Sequence, residues 1–315
     1  MNGLRTPTRS KAKNAARQGH FGRALVLGLP YLWLAMFFLA PFGLVLKVSL
    51  SRPALGQPPY LPVFDRLDPA ALFAKLQDLS TDAYAALLGD SLYVEAYLTS
   101  LTLAAVATFV TLVIAYPLAL ALARADQRLR PALLGLVIAP FWTSALIRVY
   151  AWIMILKDEG FINHALISLG LIDAPLQIFA TNWAVVIVIV YTYLPFMVLP
   201  LYAALEAQDK ILAEAAADLG ASGAAIFWRI TFPLSLPGVL AGMLMVFIPA
   251  VGEFVIPDLL GGSDTLMIGP LLWNDFFANR DWPAAAAAAI VLLVLLAGPL
   301  ALYEHLQART DAGHP

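Results

Sequence analysis

The sequence predicts an all-α, polytopic membrane protein, and three observations carry that prediction. Of its 315 residues, 61% are hydrophobic and only 13% are charged. A soluble domain carries roughly 25% charged residues, so a fold this apolar must turn much of its surface to lipid. Six stretches are long enough to cross a hydrocarbon core as helices, which takes about 20 apolar residues. Alternating polar and apolar runs, the mark of a membrane barrel, are absent, and isolated strands would leave backbone groups unsatisfied in lipid.

The expected spans are 24–46, 97–123, 132–156, 183–205, 236–260 and 284–303. The first follows Arg5, Arg9, Lys11, Lys13, Arg17 and Arg23. Its apolar run is too long for a signal peptide and no small-residue cleavage site follows, so it reads as an uncleaved span. With the N-terminus inside, the segments 1–23, 124–131, 206–235 and 304–315 hold most of the Lys and Arg. That asymmetry is what the insertion rule requires. Both termini are therefore expected in the cytoplasm, as tails of residues 1–23 and 304–315 flanking one membrane domain, 24–303.

The first outside loop, about 47–96, is rich in Asp and Pro. Its stretch "SRPALGQPPYLP" cannot be regular helix, because proline lacks the amide donor. The next stretch, "DPAALFAKLQDLS", suits a short surface helix. No internal repeat is evident.

Several function classes are excluded or left without support. Cysteine is absent, so there is no disulfide scaffold and no thiolate metal site. No Gly-Lys dipeptide exists to build a phosphate-binding loop. The four histidines are scattered, without an HExxH pattern, and GxSxG is missing. No enzyme, no resident cofactor or metal, and no nucleic-acid partner is implied.

The segment "EAAADLGASGAAIFWRITFPLSLPG", Glu214 to Gly238, is neither a polar turn nor an apolar span. Leu212, Ala215, Ala216 and Leu219 recur at helical spacing as a narrow apolar stripe. Gly220 suits a left-handed helix end, and Ser222 suits the cap of a second short helix. Pro233 and Pro237 punctuate the start of the fifth span. On periodicity alone, packing on its own bundle and docking of another protein are equally good readings.

Glu214-Ala215-Ala216, three residues, Gly220, nine residues, then Ile230-Thr231-Phe232-Pro233 resembles the EAA motif of ABC importer permeases. Phe232 stands where the family pattern has Leu. The stretches "PFWTSALIRVYAWI" (140–153), "LPFMVLPLYAAL" (194–205), "FIPAVGEFVIPDLLGG" (247–262) and "NDFFANRDWP" (274–283) resemble the polyamine branch. Within that branch, the likeness is greatest to the first permease of putrescine systems, with spermidine/putrescine permeases sharing much of it.

That resemblance implies the type I (MetI-like) permease fold in a bacterial inner membrane. It implies coupling to a partner ATPase through the loop 206–235, with Glu214, Ala215, Ala216, Gly220 and Ala221 in the dock. ATP and magnesium would be bound by that partner. The implied assembly has a second, homologous permease, two copies of a cytoplasmic ATPase subunit, and a periplasmic polyamine-binding protein. The alternatives are a permease for spermidine or another small solute, and an ion-coupled carrier acting alone.

A polycation path calls for carboxylates and aromatic faces. Glu253 is the leading candidate, because an ionisable residue within a span marks function by default and Pro249, Gly252 and Pro257 imply a broken helix around it. The competing expectation is a structural ion pair with Arg148. Asp258 lines the path or caps a loop. Trp142 and Tyr193 are expected in the bundle interior, and Trp152 at the lipid interface. Asp275 and Asp281 are expected as solvated loop charges. The run Ala284–Ala289 is expected as a close-packing face.

Overall fold

The computed structural model describes residues 26–63, 75 and 77–312. The N-terminal basic tail, 1–23, and most of the expected surface helix at 68–80 lie outside these residues. The chain divides into two compact units.

The first unit comprises residues up to Ala83 together with Trp282–Ile290. Its long helix α1, Val26–Ser49, is long and apolar enough to cross a membrane, and none of its apolar window is buried. The proline-rich stretch after it forms no helix, as expected. Instead β1, Arg52–Pro53, pairs antiparallel with β2, Tyr60–Leu61, as a small ribbon. Lys47 closes the end of α1 onto this ribbon: its ammonium lies 4.1 Å from the Tyr60 ring centroid and donates to the Pro62 carbonyl.

The second unit, Tyr84–Asp281 with Val291 onward, holds the main helical core. After the short α2, Asp82–Gly89, come α3, Ser91–Arg124, α7, Asn182–Glu206, and α9, Gly223–Val251, which pack mutually at its centre. Small residues allow the close approach. A Cβ on Gly238 of α9 would stand 2.5 Å from Ala204 Cβ and 2.7 Å from the Pro200 oxygen of α7. One cluster joins Val185, Val188 and Ile189 of α7 to Ala104 and Ala107 of α3. A second joins Met197 and Leu201 to Tyr116 and Val246. Buried polar groups there find partners: Tyr116 Oη and Ser235 Oγ lie 2.9 Å apart.

Among the described residues five helices are long and apolar enough to cross a membrane, and the count is six where a pair bent at a short break is one span. The expected third span, 132–156, falls on that pair. Its first limb is α4, Arg130–Ile138, ending in a 3-10 turn at Ala139–Trp142. Its second limb, α5, Ala145–Leu156, continues through α6, Phe161–Ser168, and the two limbs meet at 89°. Thr143 and Ser144 are extended at the break. The Pro140 carbonyl accepts from Thr143 N at 3.3 Å, Thr143 Oγ1 at 2.8 Å and Arg148 Nη1 at 2.9 Å. Side-chain donors thus satisfy the carbonyl locally, which is how Thr competes with helix continuation.

The fifth span also differs from its expected bounds of 236–260. Its helix begins at Gly223, so the second arm of the hairpin is continuous with the span. Pro233 does not interrupt it. A π turn at Phe227–Thr231 inserts an extra residue just ahead, where proline's missing amide is tolerated. The helix stops instead at Val251, and α10, Val255–Leu260, starts after a three-residue break. Then α11, Ile268–Trp273, runs into another π turn, Asn274–Ala278. The last helix, α12, Trp282–Ala312, extends past the expected span end at 303, and Ala285, Ala287 and Ala288 near its start are buried.

Candidate functional site

Two places in the second unit bring together the residues singled out from sequence. The first is a hairpin formed by α8, Lys210–Asp218, and the start of α9. Asp209 caps α8 by accepting from Ile211 N at 3.0 Å. At the other end Gly220 has φ +82°. Gly220 N donates to Ala217 O at 2.9 Å and Ala221 N to Ala216 O at 3.0 Å. This paired closure is the Schellman motif, for which glycine is preferred because a Cβ is strained at positive φ. Ser222 Oγ then accepts from Ala225 N at 3.3 Å and starts α9.

No residue of α8 is buried. Glu214, Ala215 and Gly220 are exposed, while Ala216 and Ala221 are half-buried. The apolar stripe turns outward: Leu219 is 90% exposed, and Ile211, Leu212 and Trp228 are exposed beside it. The hairpin therefore presents its apolar face away from its own bundle. Its base is tied inward, with Gln208 Nε2 donating to the Thr231 oxygen at 3.0 Å.

The second place is the break after α9. Gly252 ends the helix, and Glu253 sits half-buried in the gap. Tyr193 Oη of α7 donates to Glu253 Oε2 at 2.6 Å, and Val255 N donates to Oε1 at 3.2 Å. Both donors are neutral. The backbone of the break is held against α11, where a Cβ on Gly269 would come within 2.3 Å of the Glu253 oxygen. Arg148 is not the partner of Glu253. Its guanidinium is spent on the Pro140 oxygen and lies 5.1 Å from the Phe141 ring centroid. The competing ion pair is thus replaced by a phenol–carboxylate hydrogen bond, and each charge is held by its own helix break.

Of the other candidates, Tyr193 belongs to this second place and the rest are dispersed. Tyr193 is half-buried, with its ring 6.0 Å from Phe196. Trp142 is 82% exposed, because it ends the 3-10 turn where the chain swings outward, so the expectation of an interior position fails. Asp258 lies exposed on α10. Trp152 is half-buried, meets Tyr191 edge-on at 5.3 Å and packs on the core.

Asp275 is the plainest departure from expectation. It is 5% exposed, not solvated. It accepts from Tyr93 Oη at 2.6 Å and from Asn279 Nδ2 at 3.0 Å. Its place in a π turn aims it at α3, and nothing local in the sequence announces that turn. A second arrangement missed from sequence is Arg130 with Glu206, an ion pair of 2.6 Å at the hairpin's base. Among the described residues no group of acidic or histidine side chains forms a metal site.

A multi-helix bundle with an exposed amphipathic hairpin at the foot of one span fits a membrane transport subunit. The chain belongs to the family of binding-protein-dependent transport system inner membrane components, whose model matches residues 115–312. It is 46% identical over 233 residues to the spermidine/putrescine transport system permease protein PotB of Salmonella typhimurium strain SL1344, covering 74% of this chain and 80% of that one. PotB of Haemophilus influenzae is 39% identical over 274 residues, covering 87% and 90%. In fold, the chain is similar to a subunit of a bacterial alginate ABC transporter, crystallised with an alginate-bound periplasmic protein. That match has a TM-score of 0.68 at 17% identity, over 95% of this chain and 97% of the other.

Proposed function

We propose that this chain is a permease subunit of an ATP-driven importer that moves a polyamine, putrescine first among them, into the cytoplasm. The observation that carries the reading is Glu253. It is a carboxylate at a helix break within the membrane span, half-buried, hydrogen-bonded only by neutral groups. An ionisable group there is costly unless it serves a path or a partner, and a bare carboxylate suits a passing ammonium. The names of the PotB relatives support the same substrate class.

The hairpin supplies the energetic link on this reading. Glu214, Ala215, Ala216, Gly220 and Ala221 meet a cytoplasmic ATPase subunit, and a small, exposed, apolar-faced helix fits such a cleft. Two ATPase copies, a second permease and a periplasmic binding protein complete the machine. Both termini and the hairpin face the cytoplasm, which the distribution of Lys and Arg supports. Alternating access follows when closure of the ATPase dimer draws the hairpins together.

The test is reconstitution of the chain with its neighbouring subunits in liposomes. ATP-dependent uptake of labelled putrescine is expected, with spermidine competing, and calorimetry on the cognate binding protein ranks the two. Uptake that persists without any ATPase subunit would favour a lone ion-coupled carrier. Uptake of an unrelated solute, with polyamines inert, would overturn the substrate class.

A further inference from the structure

The hairpin hangs from the last residue of α7, and one side chain anchors that point. Arg130, the first residue of α4, sends its guanidinium in three directions. Nη1 donates to Glu206 Oε1 at 2.6 Å, Nη2 to the Ala123 oxygen at 2.8 Å, and Nε to the Ala125 oxygen at 3.0 Å. Ala123 and Ala125 carry the free carbonyls at the end of α3, where the helix dipole favours a cation. Glu206 is the last residue of α7, and α8 begins four residues later. The Arg130 side chain is 12% exposed and that of Glu206 43%, so the guanidinium is shielded while the carboxylate meets solvent. Beside it lies a polar cavity of about 300 Å³ lined by Arg124, Gln127 and Lys210, which leaves room for the hairpin's base to shift.

We propose that Arg130 is a positioning residue that carries movement of the hairpin into α3 and into the broken third span. The proposal rests on the reading of the hairpin as the ATPase dock. With the guanidinium in place, the ends of α3 and α7 and the start of α4 are one joint. A displacement of α8 then moves α4, whose other end is the 89° break at Thr143 and Ser144. Without it, α7 and α4 are joined only through helix–helix packing, and the hairpin swings without turning the bent span. Lysine is only a partial substitute, because a single ammonium keeps the charge but cannot hold the carboxylate and two carbonyls in one plane.

The absence of cysteine from the chain makes the joint directly testable. The complete complex, with its other subunits freed of cysteine, is reconstituted, and polyamine moved per ATP hydrolysed is measured. Arg130→Gln is expected to lower that ratio about tenfold, with Arg130→Lys intermediate. The Arg130→Cys, Glu206→Cys double variant is then bridged by a reducible bifunctional thiol reagent. The bridge is expected to restore the ratio, and reduction to abolish it again. This arm holds even where Arg130→Gln fails to assemble. A normal ratio in Arg130→Gln, or a bridged complex that transports no better than the unbridged one, overturns the proposal, the second because it means the pair must open during transport. Failure of the unaltered chain to recruit any ATPase is a separate result. It removes the docking reading and this joint with it.

Discussion

Tyr193 Oη lies 2.6 Å from Glu253 Oε2, so the phenol of one central helix holds the carboxylate at the break of another. Arg148, the nearest cation by sequence argument, is engaged elsewhere. Removal of the carboxylate charge therefore leaves no orphaned cation. Glu253→Gln is expected to depress polyamine uptake while the complex still assembles and its ATPase still responds to loaded binding protein. Adding Arg148→Gln should rescue nothing. Recovery of uptake in that double variant would mean the two charges do pair during the cycle.

Gly220 tests the hairpin. Its φ of +82° and the open space around its Cβ position separate backbone strain from steric clash. A residue with a side chain in that conformation costs roughly 1–2 kcal/mol, and a β-branched one more. Gly220→Val is expected to uncouple ATP hydrolysis from transport, while Gly220→Asn, which tolerates the left-handed region, keeps most of the coupling. Equal transport by the two variants would remove the closure from the mechanism.

Asp275 is a stability prediction. Asp275→Ala strips the acceptor from the Tyr93 hydroxyl in a buried site, a loss of about 1–3 kcal/mol. Asp275→Asn keeps an acceptor and should cost less. Thermal unfolding of the purified chain in detergent reads the difference, and an unchanged midpoint for the alanine variant would show the bond to be idle.

Gly238 tests the approach of α9 to α7. A methyl group there would meet Ala204 Cβ at 2.5 Å. Gly238→Ala is expected to destabilise by roughly 1–3 kcal/mol through overpacking. Ala204→Gly should recover part of that and no more, since the Pro200 oxygen stays in the way. Full recovery would show that the side-chain contact alone sets the spacing.

Orientation has its own check. Reporter fusions after residues 75 and 168 should register the periplasm, and fusions after 127 and 218 the cytoplasm. A periplasmic signal at 218 would place the hairpin beyond the reach of any cytoplasmic ATPase.

What could be read from sequence divides along physical lines. Five spans follow from the length of apolar runs, since lipid demands about 20 residues wherever they fall, and the third expected run falls on the bent pair. Gly220 and Ser222 were legible because a cap is a local backbone requirement. The limits of the third and fifth spans were not. A Thr143 hydroxyl and a π turn ahead of Pro233 reroute backbone bonds without disturbing hydropathy. The two polar locks were also hidden. Tyr93 and Asp275 are 182 residues apart, and Arg130 and Glu206 are 76 apart. Only the folded arrangement of α3, α7 and the segments around them brings such pairs together.

The helix Gly223–Val251 runs without a loop from the hairpin's turn to the gap that holds Glu253. At 1.5 Å per residue its 29 residues reach about 43 Å. On the proposed reading, the surface that feels ATP and the carboxylate that greets the substrate are two ends of one helix, which carries a π turn and the interior prolines Pro237 and Pro249 but no loop. That continuity ties movement of one end to movement of the other. A nucleotide cycle that tilts the lower end also re-aims the upper one, and a carboxylate re-aimed with every stroke is a poor conduit for stray ions between strokes. The tightness of the importer against leak would then come from the continuity of a single helix rather than from a separate plug.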